Sequence, residues 1–256
     1  MCCSDVLYFE VKKIGAFTVA YGKPENLAYA GMMINSFKKF HPDIPVTIFT
    51  DSDVEAIKDP NKTYRMYAMF GMQMAKQYEN VLQIDSDSIV TGDLSHIFDD
   101  DVELACPLNN NLIDPKLVIH DIPYQVYVNA GFVYAKGQRF WSWWNELNHR
   151  IYFNRYQYGE QDTLNLIFHY GDLKSKILDY DYGDRWHGLV HKGQWHKMIL
   201  KDNEIILPKQ DGVCDNDKSI RVIHWAGGQV QKMNFHTFFS EDIVKRLQYL
   251  ISDEEK

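Results

Sequence analysis

The stretch VLQIDSDSIVTGDL, Val81 to Leu94, places two aspartates, Asp85 and Asp87, at the end of an apolar run. In an extended chain, side chains two positions apart return to the same side, so both carboxylates aim at one point. Converging carboxylates repel each other unless a cation or a proton lies between them. Oxygen ligands of this kind suit Mg²⁺ or Mn²⁺, cations that keep their other positions for water and substrate phosphates. A D-x-D pattern taken alone reads more readily as a pair of solvated loop aspartates; the apolar strand before it and its place after two βα units shift the balance to the metal. A phosphohydrolase of the haloacid-dehalogenase type is an alternative, with Asp85 as nucleophile and Asp87 as acid/base. That chemistry normally occupies the first strand of its core and needs a later lysine and a paired acidic motif. Here at least two strands precede the pair, and Asp99–Asp101 follow too soon.

The elements that must position this pair show in the hydrophobic pattern. IGAFTVA (14–20) is apolar and partly β-branched, a buried strand. Pro24 opens a segment with Leu27, Ala30, Ile34, Phe37 and Phe40 at spacings of three and four, an amphipathic helix that His41-Pro42 stops. VTIFTD (46–51) is the next strand, and a helical stretch over about 64–78 leads into VLQIDSD. Strand–helix–strand–helix–strand predicts an α/β fold: a Rossmann-like, mainly parallel central sheet flanked by helices. Ligands of such sheets sit outside the carboxyl ends of the strands, where Asp51, Asp85 and Asp87 all fall. Two further helices are predicted in WSWWNELNHRIYF and EQDTLNLIFHY.

Composition excludes several function classes. The 256 residues are 45% hydrophobic and 14% aromatic, enough for a packed core. A net charge of −8 argues against a nucleic-acid partner or a polybasic membrane anchor. The cysteines, at 2, 3, 106 and 214, match no zinc or redox spacing and suit a reducing compartment. The opening MCCSDVLYFEVKK lacks signal-peptide character, and no integral membrane segment is evident. The expected localisation is cytoplasmic.

Four motifs in order resemble a known family. VLQIDSDSIVTGDLSHIF is similar to the D-x-D region of glycosyltransferase family 8, the glycogenin-like and lipopolysaccharide-galactosyltransferase-like enzymes. YVNAGFVYAKGQRFW resembles the family's asparagine–small–glycine strand, GEQDTLNLIF its acidic-Gln-Asp helix start, and IHWAGGQVQK its closing His-x-x-Gly…Lys segment; the likeness spans about 14–235. It implies one nucleotide-diphospho-sugar transferase domain over 1–256: a nucleotide-binding half (about 14–105), a donor-sugar and acceptor half (about 106–235) and a C-terminal helix (236–256). The implied activity is metal-dependent transfer of a hexose from a UDP-sugar to a glycan or protein acceptor, with retention of configuration. Asp85, Asp87 and His224 would hold the cation, Mn²⁺ or Mg²⁺. Ala20 and Tyr21 would lie beside the nucleoside, and Ser86, with Asp85, would also bind the donor. Asn129, Ala130 and Glu160 would contact the donor sugar. Gly227 and Lys232 would hold the leaving phosphate, and Gln161 would face the anomeric carbon.

Each of these residues also has a plain structural reading. His224 follows an apolar strand and could be a core histidine. Gln161 and Asp162 could cap a helix, and Asn129-Ala130-Gly131 could mark a close backbone approach. Glu160 or Asp162 could instead act as a carboxylate nucleophile or base. Trp141, Trp143 and Trp144 suit core packing, whereas Trp186 and Trp195, near His187, His191 and His196, suit sugar stacking. The segment after His224 departs from the family pattern: it is longer, and Met233-Asn234 replaces the customary proline–tryptophan. The family's basic residue before the D-x-D corresponds to about Met69, with Arg65 one turn earlier. A protein of this kind that had lost catalysis would be a nucleotide-sugar or glycan-binding module.

Overall fold

In the computed structural model, residues 14–98, 101–109, 122–150, 159–181, 188–189, 198–209, 217–225 and 235–253 are described. The apolar run from Ile14 to Ala20 forms β1, followed by α1 (Glu25–Lys38) and β2 (Val46–Thr50). A short helix α2 (Asp51–Glu55) and the longer α3 (Lys62–Met74) lead into β3 (Asn80–Ile84), β4 (Ser88–Val90) and α4 (Ser95–Phe98). Then come β5 (Leu104–Cys106), β6 (Phe132–Lys136), α5 (Arg139–Arg150), α6 (Glu160–Tyr170), β7 (Ser175–Ile177) and α7 (Leu178–Asp181). Four short strands, β8 (Gly188–Leu189), β9 (Ile199–Lys201), β10 (Glu204–Leu207) and β11 (Lys218–Ser219), precede β12 (Val222–His224). Helices α8 (Phe235–Phe238) and α9 (Glu241–Ile251) follow.

The central sheet has the order β2-β1-β3-β6-β5-β7. The strand–helix–strand reading holds: β2, β1 and β3 are parallel, with α1 and then α2–α3 as crossovers. The direction of one strand differs from the parallel reading. β6 is antiparallel to both neighbours, β3 and β5, so the sheet is mixed and mainly parallel. Strand direction leaves no mark on a buried run such as FVYAK, which is apolar whichever way it lies.

Both faces of the sheet are covered. Phe17, Val19, Val81 and Val133 pack on one side with Phe70 of α3 and Trp141 and Trp144 of α5. Their alternating partners Ala16, Leu82 and Ile84 pack on the other side with Met33 and Phe37 of α1. The period of two along each strand thus feeds two separate cores. Trp141 and Trp144 are fully buried, as core packing required, while Trp143 is partly exposed with Arg139 over its ring. Leu27, read as part of the apolar stripe of α1, is 56% exposed; Ala30, Met33, Ser36 and Phe37 form the buried face instead. A smaller sheet, β4-β12-β8, stands at the end of β3. The hairpin-like β9-β10-β11 sheet packs with α8 and α9 around Trp225.

Candidate active site

β3 ends at Ile84, and the next three residues turn the chain into β4. The turn is pinned by Asp85 N–H donating to Gly131 O at 2.8 Å and Ser88 N–H donating to Asp85 O at 3.2 Å. β12 lies antiparallel on β4 with His224 opposite Ser88, and Trp225 N–H donates to Asp87 O at 3.0 Å. This pairing carries His224 to the D-x-D from a distant part of the chain. Its Nε2 lies 3.0 Å from Asp87 Oδ1 and 3.4 Å from Asp85 Oδ2. One ligand atom from each of the three residues falls within 4.8 Å of the others. His224 is only 3% exposed. Burial opposes charge on its imidazole, but the carboxylates of Asp87 and Asp85 outweigh it and carry the group up to about 10. Two carboxylates and one imidazole converging here are a donor set that fits a divalent cation.

The space for that imidazole comes from Gly131. A Cβ there would stand 2.4 Å from His224 Cε1, far inside contact distance. The close approach read from Asn129-Ala130-Gly131 is therefore an approach to the histidine. Asn129 turns inward: its Oδ1 accepts from Gly131 N–H at 2.7 Å, and its Nδ2 donates to Asn109 at 3.3 Å. Ala130 N–H donates to Gln161 Oε1 at 3.1 Å, tying the start of α6 to the same strand entry. Only the amide oxygen can accept from a backbone N–H, so the Gln161 NH₂ group takes no part in this bond. Gly159, at φ +57, makes the turn that opens α6, and no side chain caps the helix. Burial, with the charges of Asp85 and Asp162 adding to it, holds the Glu160 carboxyl up to about 8. Asp162 is fully buried and accepts from the Tyr127 hydroxyl.

No protein-family profile and no curated protein sequence matches this chain. Solved structures do. The galactosyltransferase LgtC, solved in complex with donor and acceptor sugar analogues, superposes with a TM-score of 0.56 over 94% of this chain and 98% of its own, at 15% identity. The bifunctional glycosyltransferase WbbM gives 0.58 over 95% of this chain and 50% of its own, at 14% identity. GlyE of Streptococcus pneumoniae TIGR4 gives 0.55 over 94% of this chain and 62% of its own, at 15% identity. This is the GT-A glycosyltransferase fold.

In this GT-A fold a cavity of about 400 Å³ opens beside the D-x-D, lined by Val19, Tyr21, Gly22, Lys23, Asn26, Tyr29, Met66, Tyr67, Asp85, Ser86 and Asp87. Of the expected nucleoside contacts, Tyr21 lines it and Ala20 is buried in β1. Asp51 holds the loop after β1, accepting from Gly22 N–H at 2.7 Å. Helix α3 presents Met66 and Tyr67 to the cavity, whereas Met69 packs against the core. Arg65 is turned away, bonded to Asp59 and, at 3.1 Å, to Asn145 Oδ1, so the basic residue sought there is absent from the cavity wall. Gly227, Lys232, Trp186, Trp195, His187, His191 and His196 lie outside the described residues. Sequence reading missed Tyr67, which lines the cavity beside Asp85, and Gln83, which donates to Asp85 Oδ1 at 2.8 Å. A glutamine inside VLQI gave the only signal, and it reads as a simple interruption of an apolar strand.

Proposed function

We propose that this GT-A protein transfers a hexose from a UDP-sugar to a glycan or protein acceptor, with retention of configuration and with Mn²⁺ or Mg²⁺ held by Asp85, Asp87 and His224. One observation carries the reading: the Asp85–Asp87–His224 cluster stands at the carboxyl end of β3, on the rim of the cavity, within this fold. When bound, the cation supplies a Lewis acid that offsets the charge of a departing nucleoside diphosphate. Tyr21 and Tyr67 offer ring surface to a nucleoside along the cavity wall, and Lys23 brings a positive charge to its edge. Gly227 and Lys232 are assigned to the leaving phosphate from the resemblance alone.

The stereochemical reading rests on the residues at the start of α6. Inversion requires a carboxylate base poised to take the acceptor's proton from the face opposite the leaving group. Glu160, held up to about 8, is mostly protonated at neutral pH, which favours a hydrogen-bond donor over that base. Asp162 is buried beneath Tyr127, and Gln161 presents an amide NH₂. These groups can hydrogen-bond a sugar as charge develops, and the departing phosphate then takes the proton on its own face. The test is incubation with UDP-sugars, Mn²⁺ and candidate acceptors, followed by proton NMR of the new linkage. An α-linked product from an α-linked donor is expected. A β-anomeric signal would overturn retention, and consumption of phosphate esters without any acceptor would favour a hydrolase.

A further inference from the structure

Asp85 is gripped by a side chain that is not itself in the ligand set. Gln83 precedes it by two residues on β3 and so projects from the same face of the sheet. It is 0% exposed, with Phe17 and Val133 beside it on the neighbouring strands. Its Nε2 donates to Asp85 Oδ1 at 2.8 Å, while its Oε1 is buried with no hydrogen-bond partner among the described residues. A half-paired amide inside a central apolar strand costs folding free energy, so stability does not account for it. The amide is a neutral donor, so it orients the carboxylate without cancelling the charge that attracts a cation, as a guanidinium would.

We propose that Gln83 is a positioning residue that fixes the orientation of Asp85 for its divalent cation. Gln83 occupies Oδ1 and leaves Oδ2 turned towards His224, 3.4 Å away, where the other ligands converge. Hydrogen-bond partners of this kind keep a ligand in its binding geometry, and losing one lowers metal affinity by about tenfold or more. The inference rests on the metal site assigned above, and its test needs neither nucleotide nor turnover.

The experiment is Mn²⁺ titration of the full chain, followed by electron paramagnetic resonance, beside melting temperatures measured in EDTA. Gln83→Leu and Gln83→Met should each weaken Mn²⁺ binding by about tenfold. Both also remove the unpaired carbonyl and should melt no lower than the wild type. Wild-type affinity in both variants overturns the proposal, as does a loss of affinity that only tracks a loss of melting temperature. Should Gln83→Leu fail to fold, Gln83→Met, closer in shape to glutamine, decides by the same criteria. A wild type that takes up no Mn²⁺ overturns the metal assignment and this inference with it.

Discussion

At the residue scale, His224 changes the expected pH behaviour of the site. An isolated ligand histidine would lose metal as the pH falls below about 6.5. Here two carboxylates raise the imidazole to about 10, so in the metal-free protein it is an imidazolium that bridges Asp85 and Asp87. A cation needs the neutral ring, so its uptake must expel a proton. The sign follows: affinity rises with pH across the neutral range up to about 10, whereas the metal-free fold gains from the raised group below its unfolded value and loses that gain as the pH climbs through about 10. Calorimetry of Mn²⁺ binding at pH 7.5 in two buffers of different ionisation enthalpy should show about one proton released. Equal heats in both buffers would contradict this. Glu160 offers a second pH handle. Its carboxyl is protonated below about 8, and Glu160→Gln preserves that neutral state at every pH. The variant should keep donor binding and lose any decline above pH 8; a variant that binds no donor at neutral pH would show that the ionised form is required.

At the scale of elements, two close approaches separate site geometry from stability. A Cβ at Gly131 would meet the imidazole of His224 at 2.4 Å, and one at Gly71 would meet the indole of Trp141 at 2.1 Å where α3 packs on α5. Overpacking of this kind costs about 1–3 kcal/mol. Gly131→Ala should therefore abolish tight Mn²⁺ binding by displacing His224, while Gly71→Ala should lower the melting temperature and leave Mn²⁺ affinity near that of the wild type. Thermal melts beside Mn²⁺ titrations of both variants check the pair; metal binding retained in Gly131→Ala would contradict the packing account. How far these elements could be read in advance follows from what each depends on. EQDTLNLIFHY and IGAFTVA announced α6 and β1 because their patterns are local. The role of Gly131 was not legible, because its neighbour arrives through pairing between β4 and β12, and no periodicity encodes a partner so far along the chain. Leu27 fitted the α1 stripe by spacing yet faces outward, because a 3.6-residue period says nothing of where the covered face ends.

For the molecule as a whole, the sheet order explains why one cavity serves the site. β1 lies between β2 and β3, and the loops leaving the carboxyl ends of β1 and β3 supply Tyr21 to Asn26 and Asp85 to Asp87. Helix α3 closes the cavity from one side with Met66 and Tyr67. None of the helices among the described residues is long and apolar enough to cross a membrane. The likeness to LgtC extends over nearly the whole of both chains at 15% identity, so it is the architecture that is shared. We propose that the D-x-D and His224 unite a divalent cation with a nucleoside diphosphate in that cavity. The decisive measurement is calorimetric titration of UDP into the wild type and into Asp87→Ala, each with Mn²⁺ and with EDTA. UDP should bind the wild type in Mn²⁺, and binding should be lost in EDTA and in Asp87→Ala under both conditions. UDP binding of equal strength in Mn²⁺ and in EDTA would contradict it.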